Sequence, residues 1–118
     1  MKILIVDDEH VIRHGCRLIL EEKGHTVETS ATCKEGIEAV TNNSYDLVLL
    51  DLKLPDQSGT EMFKVVRSNN QPRIIVMSGY INFKNMMSSG EQEKFDFLPK
   101  PFTDEELITA VKKNGIVD

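Results

Sequence analysis

Five residues of this chain could do chemistry together, and each closes a short apolar run. Ile3-Leu4-Ile5-Val6 leads into Asp7 and Asp8, Leu47-Val48-Leu49-Leu50 into Asp51, Ile74-Ile75-Val76-Met77 into Ser78, and Phe97-Leu98-Pro99 into Lys100 and Pro101. Such runs read as buried parallel strands, and open α/β sheets gather the groups at their strand C-termini in one crevice. Two adjacent carboxylates repel each other, and a third from a neighbouring strand sharpens the conflict in a partly desolvated cleft. A hard divalent cation removes it, and Mg²⁺ suits a few carboxylates, a carbonyl and water. The Ser78 hydroxyl and the Lys100 ammonium can take phosphoryl oxygens, and Gly79 leaves room for a close approach. Without phosphate, Lys100 is expected to pair with an acid. X-Pro bonds adopt cis at modest cost, and a cis Lys100–Pro101 bond would turn the ammonium into the crevice.

Taken singly, each of these residues has an ordinary explanation. Asp7 and Asp8 suit a helix N-terminus, Asp51 a helix cap, Lys100 the solvated surface, Ser78 a loop. Their convergence on neighbouring strand ends is what argues for a site. His10, His14 and His25 fall in no metal-ligand pattern and read as surface residues, and Met86 and Met87 as packing residues.

The elements that must hold the crevice alternate in type, the rhythm of a parallel sheet with crossover helices. Strands are expected at 2–6, 26–29, 46–50, 74–77 and 96–98. The second has one clear apolar residue and suits a sheet edge. The third is apolar from Leu47 to Leu50 and suits the centre. Helices are expected at 9–23, 34–42, 60–68, 82–94 and from 103 to 115. The first carries Val11, Ile12, Cys16, Ile19 and Leu20 on its apolar side, with Gly24 as its C-terminal cap. The last opens on a capping box, Thr103-Asp104-Glu105-Glu106. The stretch 82–94 must cross between two parallel strands, yet Asn82, Asn85, Ser88, Ser89 and Gly90 favour a helix poorly.

The 118 residues suffice for one domain, taken here as 1–118, and the net charge of −5 argues against non-specific nucleic-acid binding. Cys16 and Cys33 make no zinc or C-x-x-C pattern and read as buried, reduced thiols. The acids at 7–9 stop the opening apolar run short of a signal sequence, and no run approaches a membrane span. A cytoplasmic location follows as the expectation.

Four segments, in this order and spacing, resemble the receiver domain of two-component response regulators: I-L-I-V-D-D-E at 3–9, D-L-V-L-L-D-L-K-L-P-D-Q-S-G at 46–59, I-I-V-M-S-G-Y at 74–80 and F-D-F-L-P-K-P-F at 95–102. The resemblance runs from Lys2 to about Lys113. It implies an α/β, flavodoxin-like, doubly wound sheet of five parallel strands in the order 2-1-3-4-5 with five helices; that order is carried over from the family. It implies Asp51 as the acceptor of a phosphoryl group from a histidine kinase or histidine phosphotransfer protein. Asp8, Asp51 and the backbone carbonyl of Lys53 would hold Mg²⁺ directly, and Asp7 through water. Ser78 and Lys100 would bind phosphoryl oxygens, and Phe97 matches an aromatic switch that remodels the face of the fourth helix, fifth strand and fifth helix. That face would meet an output partner and allows a homodimer. The family role is a phosphoacceptor acting on neither nucleic acid nor membrane by itself, whether the chain stands alone or is part of a longer one.

Two positions depart from the usual pattern. The resemblance implies that Lys53 and Tyr80, each two residues beyond a site residue, would put a cation and a bulky phenol beside the phosphoryl group, which leaves its lifetime open. Two other functions compete. A haloacid-dehalogenase-like phosphohydrolase also uses an aspartyl nucleophile and Mg²⁺, but needs an acid where Lys53 stands and a cap the chain has no room for. A pseudo-receiver would bind its partner without phosphorylation, yet every central site residue is present.

Overall fold

The apolar runs form strands in the computed structural model, which describes residues 1–51, 64–65, 72–78 and 96–115. The strands are β1 (Lys2–Val6), β2 (Thr26–Ser30), β3 (Leu47–Asp51), β4 (Arg73–Ser78) and β5 (Asp96–Pro99). They make one parallel sheet in the order β2-β1-β3-β4-β5. Every residue of β3 is buried: Leu47–Leu50 as an apolar run requires of a central strand, and Asp51 with them at the strand end. At the edge, β2 buries only Val27 and Ser30.

Helix α1 covers His10–Glu22 and α2 Cys33–Asn42. The chain moves outward from β1 to β2 and then back across β1 to β3. Right-handed crossovers therefore put α1 and α2 on opposite faces, and the reversal falls between β1 and β3. Asp104–Gly115 forms α3, the last helix among the described residues. One core joins Leu4, Val6, Val48, Leu50, Ile74 and Val76 to α2, with Val65 and Phe97 packed against it. The other joins Ile3, Ile5, Leu47, Leu49, Ile75, Met77 and Leu98 to α1 and α3. Each buried aliphatic side chain contributes roughly 1.5–3 kcal/mol.

The helix ends follow local chemistry. Thr32 caps α2 by accepting from Glu35 N at 3.1 Å. Thr103 and Glu106 cap α3 reciprocally, at 2.8 and 3.1 Å. Gly24 after α1 has φ of +93°, which glycine adopts without a Cβ penalty. Both cysteines are buried and unbridged.

One reading of α1 needs correction. Val11 is 79% exposed, and the buried stripe is Ile12, Cys16, Ile19 and Leu20. Val11 lies about 100° around the helix from Ile12, in line with Leu18 seven residues on, which is 54% exposed. Of the helix expected at 60–68, Lys64 and Val65 are described and helical. The helix expected at 82–94 lies outside the described residues. Among those residues no helix is long and apolar enough to cross a membrane.

Candidate functional site

The strand register sets the crevice. Val6 lies opposite Leu50, and Asp51 opposite Met77. Side chains alternate along a strand, so Asp7 and Asp51 continue the parity of Ile5 and Leu49, toward the face covered by α1 and α3. Ser78 closes β4 opposite Pro99, and Lys100 follows Pro99 directly. The Lys100–Pro101 peptide is cis.

Lys100 draws the acids together. Its Nζ lies 2.7 Å from Asp7 Oδ2, 3.1 Å from Glu9 Oε1 and 3.3 Å from Asp51 Oδ2. The contacts to Glu9 and Asp51 are directed hydrogen bonds. The shorter one to Asp7 is an ion pair without hydrogen-bond alignment, so Asp7 Oδ2 meets a charge but no aligned donor. Burial alone pushes the Lys100 pKa down. The contact with Asp7, the charge of Asp51 and the hydrogen bond to Glu9 outweigh it, holding the ammonium above the ordinary lysine range.

Asp7 is fully buried and Asp51 nearly so, while Asp8 and Glu9 are exposed. Oxygens of Asp7, Asp8, Glu9 and Asp51 lie within 4.8 Å of one another. Four carboxylates, three of them in contact with one ammonium, form an oxygen-only donor set, partly open to water, which fits a hard divalent cation of the Mg²⁺ type. The turn is fixed from below. Asp7 N–H donates to Ser30 O at 3.1 Å, Glu9 N–H to Asp7 Oδ1 at 2.9 Å, and Arg13 Nη1 to Asp7 O at 2.8 Å.

The structure thus brings Asp7, Asp8, Asp51 and Lys100 together. Phe97 stands apart on β5, half-buried against the α2-side core. Lys53 and Tyr80 lie outside the described residues. His10 and His14 stack at 5.8 Å on the exposed side of α1, and neither belongs to the acidic cluster. Sequence reasoning missed Glu9 and Arg13. Glu9 sits beside the acidic pair but reads as a helix-start residue, and Arg13 one turn later reads as a surface cation.

The family model for the response regulator receiver domain matches residues 3–112. This chain belongs to that family. The receiver domain is 33% identical over 111 residues to response regulator ArlR of Staphylococcus saprophyticus, covering 94% of this chain and 50% of ArlR. It spans about half the length of the curated relatives it matches. A CheY-like receiver domain from Methanospirillum hungatei superposes with a TM-score of 0.85 at 34% identity, over 95% of this chain and 90% of that one. Response regulator TrrA of Thermotoga maritima, solved in complex with Mg²⁺-BeF, gives 0.84 at 32% identity, over 96% and 97%.

Proposed function

We propose that this receiver domain, taken as one unit over residues 1–118, is a phosphoacceptor in two-component signalling. Asp51 takes a phosphoryl group from a phosphohistidine on a kinase or phosphotransfer protein. The observation that carries this reading is the Lys100 ammonium shared between Asp7 and Asp51 in a four-carboxylate crevice. A carboxylate is a weak nucleophile, so positioning and charge neutralisation must supply the rate. Asp51 Oδ attacks phosphorus, the phosphorus–nitrogen bond breaks with its electron pair returning to the imidazole, and an acyl phosphate results.

Asp8, Asp51 and the Lys53 backbone carbonyl would hold Mg²⁺, with Asp7 acting through water. The ion supplies charge stabilisation at the transferred oxygens. Lys100 exchanges its contact with Asp51 for a phosphoryl oxygen, keeping Asp7 as its anchor. Ser78 donates to a second oxygen. The shift of Ser78 toward Asp51 lets Phe97, which is only half-buried, turn inward and remodel the surface around β5 and α3. That surface carries the signal to an output partner or to a second copy of the domain. The chain changes state on modification instead of turning over a small substrate.

Intact mass after incubation with acetyl phosphate and Mg²⁺ tests the reading, with Asp51→Asn in parallel. The parent should gain one phosphoryl group and the variant none. A parent that stays unmodified where a control receiver loads would leave a module that binds its partner without phosphorylation.

A further inference from the structure

At the opposite end of the sheet, a cavity of about 330 Å³ opens between α1 and α3. It lies beside the start of β1 and the turn into β2, away from the acidic crevice. Its floor is apolar: Leu20 and Val111 are each 1% exposed, and Met1 and Ile108 complete it. The rest of the lining is basic, with Lys23, Lys112 and His25, and no carboxylate among the described residues lines it.

These cations have little else to do. Among the described residues neither Lys23 nor Lys112 has an ion-pair partner, whereas the adjacent Lys113 has Asp96 at 3.9 Å. The Met1 nitrogen lies 3.1 Å from His25 Nδ1 beside the cavity. Two lysine ammonium groups beside an apolar floor, with no carboxylate partner among the described residues, are an unusual arrangement in a chain of net charge −5. The cavity has room for roughly ten water-sized groups at about 30 Å³ each. That is the low end of the range for small-molecule sites, which combine an apolar lining with a few fixed polar groups.

We propose that this cavity binds a small amphiphilic anion, an apolar chain or ring ending in a carboxylate. The apolar part lies on Leu20, Ile108 and Val111, and the carboxylate meets Lys23 and Lys112. The site is independent of the phosphoacceptor reading, since no residue of the crevice belongs to it.

The test is amide NMR titration of the whole chain with octanoate, against acetate and octyltrimethylammonium at matched concentration. Octanoate should give saturable shifts centred on Lys23, His25, Val111 and Lys112, and the two controls none. The double variant Lys23→Gln, Lys112→Gln changes only exposed side chains and should melt like the parent. It should lose octanoate affinity roughly tenfold, given the modest worth of exposed charge pairs. Equal binding of the cationic analogue, unchanged affinity in the double variant, or shifts spread over other surfaces would each overturn the proposal.

Discussion

Replacing Lys100 by methionine removes the ammonium and keeps a stem of similar length. In the parent, Nζ lies 2.7 Å from a wholly buried Asp7 oxygen and 3.3 Å from Asp51. At an effective dielectric of about 20, a single pair at that shorter distance is attracted by roughly 6 kcal/mol before desolvation. Desolvation takes back much of this, and breaking a buried pair costs about 3–5 kcal/mol because the remaining charge stays unpaired. The Lys100 side chain keeps 15% exposure and Glu9 faces solvent, which favours the lower end, about 3 kcal/mol. With a urea slope of about 1.5 kcal/mol per molar, the unfolding midpoint in chelator-treated buffer should fall by about 2 M. Mg²⁺ offsets the same acids, so it should stabilise Lys100→Met more than it stabilises the parent. Adding Asp7→Asn removes the stranded charge and should return about 2 kcal/mol, a strong coupling in the double-mutant cycle. A loss below about 1 kcal/mol, or strictly additive effects, would refute the claim that this ion pair holds the crevice together.

Three further outcomes follow. Val11 is 79% exposed in the first turn of α1, just beyond the acids, so Val11→Lys should slow transfer from a phosphohistidine protein while acetyl phosphate loading stays unchanged; equal slowing of both would count against a partner contact there. Burial, and then the Met1 ammonium, lower the His25 pKa from 6.5, so the fold favours the neutral ring. That stability is present above the unfolded value and is lost as pH falls through it, so urea stability should drop from pH 7 to 5 more in the parent than in His25→Gln; identical slopes would refute it. Burial first, and the charge of Asp7 second, push the Cys16 thiol up to about 11. It should therefore resist an aromatic disulfide reagent at pH 8 in the folded chain and react in urea, and rapid native labelling would show that it is more accessible than this packing allows.

Much of this was legible because strand ends announce themselves. An apolar run that stops at a charge marks where a strand leaves the core, so Asp7, Asp51 and Lys100 could be placed before their neighbours were known. The same reasoning put β2 at an edge and β3 at the centre. Side-chain partners were harder. Glu9 looked sufficiently explained by the favour acids find at helix starts, which hid its hydrogen bond to Lys100. Arg13 was invisible because its partner is the Asp7 backbone carbonyl, and a carbonyl has no signature in sequence. Val11 was misjudged because valine beside isoleucine satisfies any apolar count. Only the packing angle of α1 shows that the stripe runs through Ile12, Cys16, Ile19 and Leu20.

The helix ends carry one more argument about the crevice. Both α2 and α3 begin on a threonine that accepts from the backbone, the arrangement that local stability prefers. By contrast α1 begins on Glu9, whose side chain makes no capping bond. Its carboxylate reaches Lys100 instead, adding a fourth acid where like charges already crowd. A threonine there would have capped α1 and eased the repulsion, at about 1 kcal/mol for the cap alone. Among the described residues α2 and α3 obey this local rule and α1 breaks it, at an end whose carboxylate reaches into the crevice, which marks that end as serving something other than stability. The acids gathered there stay compatible with the fold only while a cation answers them, and Lys100 does so from a loop, where it can exchange one oxygen for another.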